Sequence, residues 1–456
     1  MLKTKSANLV LIFMLLVFTP ISYAAEYEWT GATGQDWDNP SNWDVTGSMY
    51  TWPNEEFSPW DRVNTDCDEI NIGTGGIVDR WGSLNIRGAD DGSNEAVLTL
   101  DHSSQLSVRY KSTPPPWGAD IGIARGGDSR GVVEVRDGSY LDLVYGAIRI
   151  GEGNNSVGKF TINGASAHIA QWLIVGRTSK GVLEMKDGTL DIGGFGGPSA
   201  WSTLYLAYLQ GSTGTIEAKS SSITMDGSLI VACADDSTGA AEIKDTVIDM
   251  GVNLDIANAP TSVGTVEIRN STLSVGSVSV GRKGTGKLEM REGLVEVASD
   301  LTVGREPTAT GTLELRGGTI NVGGRLQIGY AQAVGKVEVR HGTVNSRSVF
   351  MGTHGGDAEL RINEGKVIAD RRIVLGPDGV GHIRIFLNGG LLQGQALYFG
   401  CPDSLIVFRG GELWINRFAL SEADMQDLID IGKIDAPADC QITTVGDYTV
   451  LGSSGE

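Results

Sequence analysis

From residue 121 the chain repeats a short pattern, apolar-x-apolar followed by Gly or Ala. It reads IGIA at 121, IRIG at 148, LIVG at 173, LYLA at 204, LIVA at 229 and LDIA at 254. It continues as VSVG at 278, LTVG at 301, LQIG at 326, VFMG at 349, IVLG at 373 and LYFG at 397. After two early insertions the spacing settles at 23 to 25 residues, the mark of a solenoid in which one short unit is stacked on itself. Inside each copy a second segment alternates strictly, as in GVVEVRDG at 131, GVLEMKDG at 181 and GTLELRGG at 311. Alternation puts Val133, Val135, Leu183, Met185, Leu313 and Leu315 on one face of a strand and Glu with Lys or Arg on the other. A third segment, such as TLDIGG at 189 or TINVGG at 319, closes the copy.

Three short strands separated by Gly, Asn, Asp and Ser predict one triangular coil, and β-branched residues, glycine and the period of two all disfavour helix. The predicted fold is therefore all-β: a single-stranded parallel β-helix of twelve or more three-strand coils. At a strand spacing of about 4.8 Å, twelve coils give a rod of roughly 58 Å. After Trp414 the repeat stops. SEADMQDLIDIG predicts a helix capped by Ser421 with Asp424 three residues on and ended by Gly432, and this helix with residues 437 to 451 is expected to fold back as a cap. The chain then divides into a leader (1–24), a Trp-rich N-terminal cap (25–83), the rod (84–417) and a C-terminal cap (418–456).

The leader has Lys3 and Lys5, an apolar run from Leu9 to Phe18, and Ser22 and Ala24 before a cleavage point. That is a secretory signal; its apolar run is too short for about 30 Å of hydrocarbon, and no integral membrane segment is expected once it is removed. The expected location is secreted or on the cell surface. There, cysteines can pair. Cys233 and Cys401 occupy the same repeat position seven coils apart, roughly 33 Å at strand spacing, so Cys401 with Cys440 of the cap is the expected disulfide. Cys67 and Cys233 are left unpaired.

Composition changes the functional picture more than the fold. Against 36 Lys and Arg stand 56 Asp and Glu, a formal charge of −20, so a nucleic-acid partner is disfavoured. The outward Glu134, Glu184, Glu217, Glu242, Glu267, Glu289, Glu314 and Glu338 form one row, beside cations from Arg136 to Arg340. Paired carboxylates are the tools of glycoside hydrolysis, yet stacked coils bring any two equivalent Glu to such a spacing automatically, and the neighbouring cations keep them ionised. In the last coils the Glu position is read as Arg361, Arg384 and Ile406, and the cation position as Asn363, Phe386 and Phe408. With outward Phe350, Val374 and Tyr398, these apolar groups are expected to lie under the C-terminal cap, its Glu422, Asp424, Asp427 and Asp430 meeting Arg361, Arg371, Arg372 or Arg384.

At the corner before the first strand, early copies carry Trp117, Tyr145, Trp172 and Trp201, with Tyr205 adjoining. Aromatic faces along a groove suit stacking on sugar rings, which makes these five the candidate carbohydrate-binding residues; the same side chains also serve to pack the two inserted loops near 112 and 193. GRKGTGKL at 281 lacks the Ser or Thr and the helix of a phosphate loop. The five histidines, His102, His168, His341, His354 and His382, show no metal-ligand spacing. No cofactor is implied except a structural calcium at Asp90, Asp91 and Glu95, or at Glu152 with Asn154 and Asn155, although no known calcium-loop pattern is present. Catalytic residues are not indicated.

YEWTGATGQDWDNPSNWD at 27–44, with Trp29, Trp37, Trp43 and the Asn39–Asn42 turn, resembles the start of exported bacterial proteins built from autotransporter-associated β-strand repeats. VGRTSKGVLEMKDGTLDIGG and the ending GGELWINRFALSEADMQDLIDIGKI are similar to those of planctomycete-type secreted β-solenoids. The resemblance implies a structural or adhesive role at the envelope, with extracellular polysaccharide or envelope components as partners, and carries no catalytic residues. The alternative is a polysaccharide lyase or hydrolase of the β-helix type, on the analogy of fold.

Overall fold

The computed structural model of the chain describes residues 26–29, 43–46, 62–65, 69–72, 77–81, 83–86, 95–109, 120–194 and 202–453. Nearly all of it is parallel β-structure, and each coil pairs with the coils above and below it. Second strands such as Arg130–Arg136, Val157–Asn163, Lys180–Lys186 and Thr213–Lys219 form one 15-stranded sheet. First and third strands belong to a 28-stranded sheet folded around the other two faces. The protein is a parallel β-solenoid of about 12 turns.

Register follows the sequence pattern. Glu134 pairs with Thr161, Thr161 with Glu184, Glu184 with Glu217 and Glu217 with Glu242. Inward residues between them, Val133 and Val135, Phe160 and Ile162, Leu183 and Met185, join one buried cluster running the length of the rod. Each fully buried Leu, Ile or Phe contributes about 1.5–3 kcal/mol, so the narrow core is held by repetition. The small fourth residue of the repeat has a backbone cause: Gly176, Ala207, Ala232 and Ala257 turn the corner at φ of 75°, 56°, 60° and 59°. The glycine that opens each second strand has another. A Cβ on Gly311 would fall 2.2 Å from the Gly304 nitrogen and 2.2 Å from the Val280 oxygen.

Parallel pairing reaches back past residue 84, since Arg62–Thr65 pairs with Ser83–Ile86, and Glu69–Ile72 with Glu95–Leu100. Glu26–Trp29 lies antiparallel to Trp43–Thr46 and parallel to Arg62–Thr65. In the late coils the corner between third and first strands straightens, so Thr319–Tyr330, Thr343–Thr353 and Lys366–Leu375 are single long strands. Their pairing shifts register between Val322 and Arg325, between Ser346 and Ser348, and between Ala369 and Arg372.

The helix Glu422–Asp430 has the expected capping box between Ser421 and Asp424. It closes the open end of the core with the fully buried Met425, while Ile434–Asp435 pairs with Ile406–Val407. A hairpin of Cys440–Val445 and Tyr448–Ser453 is added antiparallel to Glu412–Asn416. The predicted side contacts of this cap are corrected. Glu422 meets Thr444, Asp424 meets Ser421 and Asp430 meets Gln426, because the helix sits over the end of the rod and not along its flank. Phe350 is instead flanked by Arg325 and Arg372, Phe386 lies under Arg361, and Tyr398 stays 53% exposed. The last rows are corrected too: Phe386 pairs with Arg361, Arg384 with Glu359, and Ile406 and Phe408 point into the core.

Candidate functional site

The second-strand face pairs much of its charge, and hydrogen bonds link neighbouring coils on the third-strand face. On the second-strand face, Glu289 accepts from Lys287 at 2.7 Å and lies 3.1 Å from both Arg291 and Arg316. Burial opposes its ionisation, but Lys287, Arg316 and Arg291 outweigh burial and hold its carboxyl below the ordinary value. Glu267 is held low first by its hydrogen bond from Arg269. A general acid needs the opposite shift. On the third-strand face, Asn345 donates to Asn321 and Asn321 to Glu296, each at 2.8 Å. His168 joins that face, its Nδ1 2.9 Å from Asp142 and its Nε2 3.0 Å from the Gly193 oxygen.

The first-strand face differs, and it holds the predicted aromatic residues. Trp172 pairs with Ala147, while Tyr145 lies two positions further upstream, so these two do not stack in one row. Tyr205 pairs with Ile174 and packs edge-on against Tyr208, their centroids 4.9 Å apart. Trp172, Tyr205 and Tyr208 are half-buried, and Ile174 is buried although its position faces outward. The indole N–H of Trp172 is buried and has no hydrogen-bond partner among the described residues. Trp117 and Trp201 lie outside the described residues, as do Cys67, Asp90 and Asp91.

Beside the aromatics is an ionic cluster that pattern reading missed. Asp120 is 2.7 Å from Arg149 and accepts from the Ala147 nitrogen, and Glu152 is surrounded by Arg125, Arg149 and Arg177. Burial pushes the Asp120 carboxyl up, only partly countered by Arg149; burial, then Arg149 and Arg125, pull Arg177 down. The signal was present as Arg125, Glu152 and Arg177, each directly after the Gly or Ala of its repeat. Glu152, a candidate calcium ligand, is thus occupied by arginines. Among the described residues no group of three His, Cys, Asp or Glu is placed to hold a metal.

The expected disulfide is corrected: Cys401 and Cys440 are both free thiols, as is Cys233. The Cys401 sulfur is buried beneath the turn and directed at the Gly381 oxygen, 3.1 Å away. No helix among the described residues is long and apolar enough to cross a membrane.

Fold and faces define a capped parallel β-solenoid whose second-strand face carries repeated charge rows and whose first-strand face carries the aromatic residues. Compared with known proteins, the chain matches no family model, no curated protein and no solved structure.

Proposed function

We propose that this chain is an exported, non-catalytic β-solenoid scaffold of the cell surface or extracellular space that holds polysaccharide on its first-strand face. The observation that carries this reading is the run of half-buried aromatic surface, Trp172, Tyr205 and Tyr208, on two consecutive coils of the rod. Sugar rings stack on such surfaces, and the unpartnered Trp172 indole is a donor available after small rearrangement. Export is supported by the leader, and a surface role by the likeness to autotransporter-associated repeats. The cation-held glutamates support a structural reading of the second-strand face.

The test is a glycan array probed with the protein from residue 25 onward and with a Trp172→Ala/Tyr205→Ala variant. Binding by the parent that the variant loses is the expected result. An array blank for both makes the aromatics packing alone and the rod purely structural. Release of product from a bound polymer favours the enzymatic alternative.

A further inference from the structure

Further along the first-strand face, between Ser277 and Asp378, the surface is hollowed into a cleft of about 530 Å³. Ser279, Thr302 and Gln327 form its floor, consecutive in the ladder. Arg305, Tyr330 and His354 line one side, Asp300 and Arg325 the other, and Phe350 continues the floor row beyond Gln327.

The arginines here are unlike those of the second-strand face. Arg269, Arg291, Arg316 and Arg340 each lie on one or more glutamates. Arg305, Arg325 and Arg372 have no carboxylate within 4.0 Å among the described residues. Glu306 is turned toward Arg282 and Lys283, at 3.6 and 3.9 Å. Both carboxylates of the cleft are already engaged: Asp300 accepts from the Arg325 backbone nitrogen at 2.7 Å, and Asp378 from that of His354 at 2.5 Å.

The guanidiniums are also held in place. Arg325, from the coil before, and Arg372, from the coil after, lie 5.1 and 5.2 Å from the centre of the Phe350 ring. A guanidinium resting on a ring face loses little of its freedom to a new partner and keeps its in-plane N–H donors for a carboxylate. Each of the two follows a register shift in its strand, a device that re-aims side chains. The Thr353 hydroxyl, at the cleft wall, is buried without a partner among the described residues.

We propose that this cleft is a second glycan site, selective for a short uronate-containing oligosaccharide. Arg325 and Arg305, which line the cleft, and Arg372, just outside it against Phe350, take its carboxylates, Arg305 with the N–H groups left over from its 3.0 Å bond to the Ser279 hydroxyl, and the hydroxyl and amide floor takes its sugar hydroxyls; the proposal rests on the polysaccharide-binding reading above. Its volume suits a small oligosaccharide. The formal charge of −20 opposes a long polyanion, so one or two carboxylates, not a continuous charged backbone, match the site.

The experiment is calorimetric titration of the protein from residue 25 onward with trigalacturonate and with its fully methyl-esterified form. The same titrations are run on Arg325→Gln/Arg372→Gln and on Trp172→Ala/Tyr205→Ala, with unfolding curves to confirm that each variant folds. Expected is binding of the acid that falls at least tenfold on esterification and equally in the arginine variant. Equal affinity for acid and ester overturns the carboxylate assignment while leaving polysaccharide binding intact. Binding lost only in the aromatic variant places the site at the corner and overturns the cleft. No binding of trigalacturonate, with other glycans bound on the array, removes this proposal alone; a blank array removes both.

Discussion

Replacing Glu289 by Gln separates two explanations of the glutamate row, a repeated solvated surface and an ionic zipper. The Glu289 side chain is 9% exposed and meets Lys287 at 2.7 Å, with Arg291 and Arg316 at 3.1 Å. Hydrogen bonds to charged groups contribute about 1.5–3 kcal/mol each. The three cations are 38–45% exposed, so water recovers much of that on their side and the total is far below three such bonds. A loss of about 2 kcal/mol is expected, since Gln keeps the shape and leaves three cations sharing fewer charges. Glu217 occupies the same row but is exposed and has no ion pair among the described residues, so Glu217→Gln is expected to change stability by no more than about 0.5 kcal/mol. The assay is the urea midpoint by far-ultraviolet circular dichroism, with the slope checked in each variant. Because Glu289 and Glu267 titrate below the ordinary 4.5, their stabilisation is complete above that value and is lost as pH falls through the lowered folded-state pKa. The gap between parent and Glu289→Gln is therefore largest near about pH 7 and shrinks as pH falls below the ordinary carboxylate range. Equal losses at both positions, or a gap unchanged in acid, refutes the zipper.

Gly311→Val, whose Cβ would meet backbone atoms at 2.2 Å, is expected to cost more than about 3 kcal/mol, whereas Gly127→Ala, with nothing within 4 Å, leaves the urea midpoint unmoved. Ending the chain at Arg417 strips the antiparallel strand from Glu412–Asn416 and the short pairing from Ile406–Val407; light scattering then finds concentration-dependent oligomers, and a strict monomer refutes the capping role. Under denaturing conditions without reductant, Cys233, Cys401 and Cys440 all titrate with a thiol reagent. Any of them appearing only after reduction contradicts the free thiols. In the folded protein Cys233 and Cys440 react slowly, because burial raises both thiols.

The fold was legible because a solenoid writes its period into the chain: the Gly or Ala of each corner and the alternation of each second strand both survive in the ladder. Register failed where a local likeness competed with the turn. IRIF at 383–386 looks like LRIN at 360–363, but the ladder aligns Asn388 with Asn363 through a 2.9 Å side-chain hydrogen bond, two residues later. Such a choice depends on which glycine turns the corner, and several stand close together at 376, 379 and 381. The cap helix was readable from Ser421 and Asp424, yet its placement was not. Its acidic residues suggested partners along the flank, while Met425 decided the matter by filling the end of the core. The ionic cluster of Asp120, Glu152 and three arginines escaped because it joins a strand residue, corner residues and a loop end that no single row contains.

The asymmetry among the faces follows from how a stacked coil handles charge. Identical residues fall about 4.8 Å apart in neighbouring coils, so any repeated charge repels itself unless a second row answers it. The second-strand face answers glutamate with arginine and lysine over most of its length, a solution by repetition, whereas the third-strand row, Asp142, His168, Asp191, Thr224, Asp249, Ser274, Glu296, Asn321 and Asn345, does not repeat and carries an Asn ladder only at its end. The first-strand face does not repeat either. Its outward row runs Arg149, Ile174, Tyr205, Ile230, Asp255, Ser279, Thr302, Gln327 and Phe350, with no two neighbouring coils alike. Folding requires only that such a row be tolerable, since the core beneath it is continuous from coil to coil. Variation on the first- and third-strand faces, beside a second-strand face whose charges repeat, is the arrangement expected where something other than the neighbouring coil sets the side chains.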